Sequence, residues 1–410
     1  MLHKNTTRKM IPLLLLIVLL VGVIIPNQNN PVTVQAKSKV YKITTKTKPC
    51  DKSEKYSTYN KYTKHYYVLL SYLKKLEKEG GGTLELAKGS YTISNTLYVP
   101  SNVTIKLKNG VKIIKGTKSG TSKFAASKSI FQFCSYTKSS KEGVYKKYKG
   151  EKNISIIGEG TAIIDLKYDE DTVGIMMCHN SNVKITGITF QNMHGGHFIE
   201  MDASKDVVVE KCTFKNHKDS GKNNKEAINL DTPDENTNGF HADWSSYDKT
   251  ANLNVTISNC TFKNLERSIG THKYSQNKLH TNVQIINNTI TNCDQDAIRV
   301  MNWKEPIIKG NTITNVGDKK AGLRAILMSG VSDPQIYDNI FKKVSRPIQI
   351  MPWKNTDFGE EYDIIFNSIS DACIEIMKRN VLIDGDEYFI RYNKEYNEFS
   401  KNTDKIPLNP

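Results

Sequence analysis

One short pattern returns along the chain. It reads Asn182-VKITGITFQN, Asp206-VVVEKCTFKN, Asn254-VTISNCTFKN, Asn282-VQIINNTITN, Glu305-PIIKGNTITN, Asp333-PQIYDNIFKK and Glu361-YDIIFNSISD, with starts 24, 48, 28, 23, 28 and 28 residues apart. Such a period belongs to a solenoid, whose repeats bury their apolar side only by stacking on neighbours. Apolar and polar residues alternate and then give way to Asn, Gly or Asp, so the unit is a strand and turn. The expected fold is all-β, a single-stranded parallel β-helix.

A second ladder lies seven residues before the repeat starts, in G-Ile175-MMC, F-Ile199-EMD, A-Ile298-RVM and A-Ile326-LMS. A-Ile228-NLD, S-Ile269-GTH, P-Ile348-QIM and C-Ile374-EIM fit the same template. Where seven residues usually separate the ladders, 26 follow Ile228, and 13 follow both Ile269 and Ile348. All three insertions leave from one corner, and insertions confined to one side of a solenoid usually build its binding face.

Alternation along these strands turns Met201, Leu230, Val300, Met328 and Ile350 inward with the isoleucines. The outward columns then read Glu200, Asn229, Gly270, Arg299, Leu327 and Asp202, Asp231, His272, Met301, Ser329. Just before the strands come His197, Glu226, Arg267, Asp296 and Arg324. Coils lie about 4.8 Å apart, so carboxylates, a histidine and arginines should form one patch.

Asp202 and Asp231 are expected on adjacent coils, close enough that one carboxyl holds a proton while the other is charged. Glycosidic cleavage needs that combination, with His272 tuning the proton. Arg299 and Arg267 would bind a sugar carboxylate, or pair with Glu226 and Asp296 as plain salt bridges. In the long insertion, His241, Asp243 and Trp244 would contact substrate, Trp244 by stacking; Asn229 and Glu226 complete the binding set, and His280 is a further candidate. A calcium ion held by Glu200, Asp202 and Asp231 is the other use of these oxygens. A solvated carboxylate ladder is the bland one.

Residues 1–36 carry Lys4, Arg8 and Lys9, an apolar run from Ile11 to Ile25 and a small-residue end at Val34-Gln35-Ala36. That is the layout of a secretory signal; an uncleaved membrane anchor is the alternative, although 15 apolar residues are short for a span. The protein is therefore expected outside the cell, secreted or on the surface, touching a membrane only through this segment. Residues 37–57 read as a flexible leader, 58–380 as the β-helix and 381–410 as a C-terminal cap. Tyr67, Leu70, Leu73 and Leu76 mark a helix between Asn60 and Glu79 closing the N-terminal end. Residues 116–150 read as a loop excursion.

The formal charge is +16, of which the signal segment holds three. The basic remainder suits an anionic polysaccharide, and no nucleic-acid-binding signature accompanies it. Seven cysteines show no CxxC or Cys/His zinc spacing, and Cys212 and Cys260 share one repeat position as small interior hydrophobes.

The segment GGGTLELAKGSYTI, the helix before it and the repeated NV-x-I-x-N-C-T-F strands resemble the pectin lyase-like superfamily of right-handed β-helices over residues 60–380. That superfamily holds pectate lyases, polygalacturonases, epimerases, other glycosidases and phage tailspikes, so the fold alone does not fix a reaction. The order Asp202, Asp231, His272, Arg299 on four coils is similar to the polygalacturonase layout. EMD, NLD, GTH and IRV stand where that family has N-T-D, D-D, G-H-G and R-I-K; the adjacent Asp pair, the glycine after the histidine and the lysine are missing. The resemblance implies a secreted enzyme cleaving glycosidic bonds by hydrolysis without a cofactor. The alternatives are a calcium-dependent lyase using Arg299, and a non-catalytic adhesin holding glycan in the same groove.

Overall fold

In the computed structural model, strands follow the chain around three faces, and each strand pairs in parallel with its counterpart one coil on. The structure describes residues 39–219, 221, 225–317, 323–354, 363–385, 389–396 and 400–407. The signal-segment reading and the repeat start at Glu361 therefore lie outside the described residues. Face A holds the beginning of each repeat (Lys205–Glu210, Leu253–Ser258, His280–Ile286), and face B its second half (Thr213–Lys218, Thr261–Leu265, Thr289–Cys293). Face C carries the isoleucine ladder (Val173–Cys178, Ile199–Asp202, Glu226–Asp231, Arg267–Gly270, Ile298–Lys304).

The repeat's residue types follow from this path. The first residue of each described repeat takes a left-handed backbone, with φ of 53° at Asn182, 55° at Asp206, 55° at Asn254 and 53° at Asn282. Asn and Asp tolerate that region better than other residues bearing a Cβ. Their side chains also join coils: the Asn254 amide donates to Asp206 Oδ1 at 2.8 Å, and Asn282 to Asn254 at 3.0 Å. Inside, Phe190, Phe214 and Phe262 stack at 5.0 and 4.9 Å.

A turn column runs Cys212, Cys260, Asn288, Asn311, Asn339, Asn380. Its amides bond in series at 3.0, 2.8 and 2.8 Å. Buried amides need such partners, whereas the two cysteines fill the column's apolar end.

The isoleucine ladder is continuous in register from Ile175 through Ile199, Ile228, Ile269, Ile298 and Ile326 to Ile348. Its next rung is Ile390, not Ile374. Ile374 lies in the helix Asp371–Met377, capped by Ser370, with Cys373 and Met377 turned inward one helical turn apart. The repeat at Glu361 leaves no regular strand either; Ile364 bridges to Trp353 and Ser368 to Ser332.

Other boundaries also differ. The supposed flexible leader contains a strand, Val40–Ile43, paired with Gly82–Leu86, because Tyr41 and Ile43 extend the face A ladder. The 116–150 excursion is two loops flanking a face C strand, Ser129–Gln132. The coil continues past residue 380, with Val381–Gly385 and Ile390–Asn393 still stacked in parallel. Only Thr403–Ile406, antiparallel to Ile390–Asn393, ends it. The helix Lys64–Lys78 buries Tyr67, Leu70, Leu73 and Leu76 and packs on all three strands of the first full coil.

Candidate functional site

Outward on face C does not mean exposed. The insertion at residues 232–252 folds back over the preceding coils and meets the loop at 133–151. There Tyr145 N–H donates to the Trp244 carbonyl at 3.0 Å and Gly143 N–H to Asp243 at 2.8 Å. Phe240 and Trp244 pack with Cys134, Tyr145, Met176 and Cys178 beneath this cover. Further along, Tyr274 and Trp353, from the other two insertions, pack with Ile364 around the buried Met301. Thr232 and Ser275 hydroxyls, 2.8 Å apart, tie neighbouring insertions together.

Beside the first cover lies a cleft of about 610 Å³. Its floor is the column Gln132, Met176, Glu200, Asn229, one residue per coil in direct register, with Asp231, His197 and His272 beside it. Lys128, Lys225, Lys273 and His241 stand around the mouth.

The acids of this region differ sharply. Glu200 is 6% exposed and lines the cleft; burial, and then the charge of Asp231, push it up to about 8. Asp231 is fully buried at the cleft wall, and its Oδ1 accepts the backbone N–H groups of His272 and Lys273, each at 3.0 Å. Burial raises its carboxyl, while the nearby His272 pulls the other way. Burial also lifts Glu226, yet His272, Arg267 and His197 outweigh it and hold this carboxyl well below its usual range.

Glu226 Oε1 lies 3.4 Å from the Arg267 guanidinium, and its Oε2 lies 3.1 Å from His272 Nδ1. The latter pair lacks hydrogen-bond geometry; His272 Nδ1 makes that contact with Asn229 Oδ1, at 3.1 Å.

Several expected roles need correction. Asp202 stacks in register on Asp231, but it is 0% exposed, lies off the cleft, and neither carboxyl oxygen has a hydrogen-bond partner among the described residues. Burial, then Glu200 and Asp231, hold it well above the usual carboxylate range. The insertion covers this coil, so Glu200 rather than Asp202 reaches the solvent side. The calcium set Glu200, Asp202, Asp231 is split in the same way, with one member sealed off.

Trp244 is 1% exposed and donates its indole N–H to Gln132 at 3.1 Å, so it anchors the cover and offers no sugar platform. Arg299 lies 4.6 Å over the Trp353 ring, under the far cover and off the cleft lining. Arg267 and Glu226 sit behind the cleft as a buried pair. His280 is also buried, with Nδ1 accepting the Asn252 N–H at 2.9 Å, a structural role.

Asn229 and His241 do line the cleft; Asp243 is exposed and lines an adjoining pocket of about 640 Å³. Lys128, Lys225, Lys273, Gln132 and Asp171 were not singled out in the sequence. Gln132 alone carried a signal, as the outward residue of a face C strand concealed in the presumed loop.

This architecture is the right-handed parallel β-helix fold of the pectin lyase-like type. A family model described as a right handed beta helix region matches residues 222–403. Over 256 residues the chain is 24% identical to the plasmin and fibronectin-binding protein A of Streptococcus pneumoniae, covering 57% of this chain and 34% of that one. The chain thus spans about a third of the length of the curated relative it matches. The solved structure of the S. pneumoniae surface protein and adhesin PfbA superposes with a TM-score of 0.57 at 19% identity, over 72% of this chain and 77% of that one. A double-mutant tailspike protein of E. coli bacteriophage HK620, in complex with pentasaccharide, gives 0.52 at 13% identity, over 86% and 63%.

Proposed function

We propose that the cleft binds an extracellular polysaccharide and cleaves its glycosidic bonds by hydrolysis. The observation that carries this reading is the contrast between the two carboxyls of the cleft. Glu200, which accepts no hydrogen bond from the described residues, holds a proton at neutral pH. Burial raises Asp231 as well, but His272 and two backbone N–H groups oppose it and favour the charged form. One is the proton donor for the leaving oxygen and the other activates water.

Glu200 and Asp231 are diagonal neighbours on adjacent strands, two residues out of direct register. This setting is wider than that of the directly paired Asp202 and Asp231, which suits a water molecule between the carboxyls and so inversion. Lys128, Lys225 and Lys273 give the mouth a positive field suited to an acidic glycan.

A second reading is a non-catalytic surface adhesin, and the name of the streptococcal relative favours it. Incubation with a panel of acidic and neutral polysaccharides separates the two. Hydrolysis yields new reducing ends without ultraviolet-absorbing products and survives chelation of calcium; elimination yields unsaturated ends. Binding without new ends would establish the adhesin.

A further inference from the structure

His197, Glu226 and His272 come from three successive coils, and one ligand-type atom of each lies within 4.8 Å of the other two. We propose that this trio binds a divalent transition-metal ion of the zinc class, with one coordination position open toward the cleft. Three observations converge on it, and none depends on the glycosidase reading.

The first is the tautomer of His197. Its Nδ1 lies 2.6 Å from the backbone carbonyl of Glu226, which only an N–H can satisfy. Nε2 therefore carries a lone pair, and a carbonyl behind the ring is the usual way a metal-binding imidazole is oriented. The second is a surplus of acceptors around His272 Nδ1. Asn229 Oδ1 and Glu226 Oε2 each stand 3.1 Å away, and Asp231 Oδ2 stands at 3.5 Å. A ring nitrogen carries at most one hydrogen. Glu226 Oε2 and Asp231 Oδ2 are left buried without a hydrogen-bond partner among the described residues, an arrangement a cation resolves.

The third is spacing. Two ligands bound at about 2.1 Å to one ion are separated by about 3–3.4 Å when adjacent and by at most about 4.2 Å. Glu226 Oε2 and His272 Nδ1 already have that adjacent separation. The ion would replace the proton that Nδ1 now shares with Asn229, released to solvent, and draw together the other pairs, all within 4.8 Å.

Two imidazoles and one carboxylate select zinc, cobalt or nickel over calcium and magnesium. Arg267 engages Glu226 Oε1, which leaves Oε2 for the ion and steadies the carboxylate. The open position would face the cleft and polarise a sugar hydroxyl or carboxylate.

The test uses the full chain, stripped with chelator and titrated with Co²⁺ and then Zn²⁺, followed by visible absorbance and calorimetry. We expect one ion per chain, cobalt bands displaced by zinc but not by calcium, and binding weakened by more than about 10–100-fold in His197→Ala and in His272→Ala, since removing a ligand costs more than removing the group behind it. Because Glu226→Gln would strand Arg267, the histidine variants carry the test, each checked by a melting curve without metal. Absence of stoichiometric binding would overturn the site. So would binding unchanged in both variants, which would assign the ion to other histidines. A parent protein that binds cobalt but releases no new ends from any glycan would count against the carboxyl pair and leave the metal site standing.

Discussion

Faces B and C are written in the same alternating code, yet their outward residues meet different surroundings. On face B, Thr213, Thr261 and Thr289 stack in register, with Lys215, Lys263 and Thr291 two places on, and all are at least partly exposed. On face C, Glu200, Asp202, Asn229, Asp231 and Met301 point outward as well, yet all are buried. The difference lies in the loops. Among the described residues no insertion crosses the face B strands at 213–293, whereas the insertions after face C strands roof over their neighbours and leave the cleft open beside them. Carboxyls on an open sheet would stay in water with ordinary acidity; under a roof they separate into protonated and charged forms.

The sharpest break of this comparison is chemical. Glu200→Gln should lower glycan cleavage by about 10²–10⁴-fold, the usual worth of a positioned proton donor. Lys263→Gln on face B should leave the rate unchanged. Reducing-end assays on both variants measure this, and an active Glu200→Gln protein would remove Glu200 from the reaction.

Next in size is the roof itself. Trp244→Ala should destabilise the protein by about 3–5 kcal/mol, as expected when a large buried aromatic is truncated. Thr289→Ala on face B should stay within about 0.5 kcal/mol. Urea denaturation compares them, and equal midpoints would show that the cover does not pack on the coil.

The repeat, the two ladders and the corner from which the insertions leave were legible because they are periodic, and side-chain direction follows from period two. The cover was not. Trp244 within GFHADW has the look of a sugar platform, but its burial depends on Tyr145 and Gln132, about a hundred residues earlier. Alternation gives the direction in which Asp202 points and says nothing of what lies above it. Ile374 fits the spacing of a strand, yet Ser370 caps a helix there and passes the rung to Ile390. Arg299 was placed in the right column, while its partner Trp353 belongs to an insertion with no period to read.

Acidity offers a gentler probe. Folded Glu200 holds its proton up to about pH 8, whereas its ordinary value is 4.5. Between those limits the unfolded chain releases a proton that the folded chain keeps, so stability falls as pH rises. The slope reaches at most about 1.4 kcal/mol per pH unit for one group. From pH 4.5 to 8 the melting temperature of Glu200→Gln should therefore rise relative to that of the parent, while the slope due to Asp202 remains in both. A Glu200→Gln protein that gains nothing on the parent across that window would contradict the protonated state assigned to Glu200.

The smallest effect is expected at Asp202, and it tests the boundary between roof and cleft. Asp202 shares a column with Asp231, but its carboxyl is sealed, has no hydrogen-bond partner among the described residues, and is held well above its ordinary value. Asn has nearly the same shape and is neutral, so Asp202→Asn should change stability by less than about 1 kcal/mol near pH 4. The variant should gain on the parent as pH rises, because it lacks a group that the unfolded chain ionises. Turnover should persist, since the residue does not reach the cleft. A folded Asp202→Asn protein without turnover would mean that the roof anchored by Trp244 opens during the reaction. The working pair would then be Asp202 and Asp231 in direct register, at the shorter separation that suits a covalent intermediate.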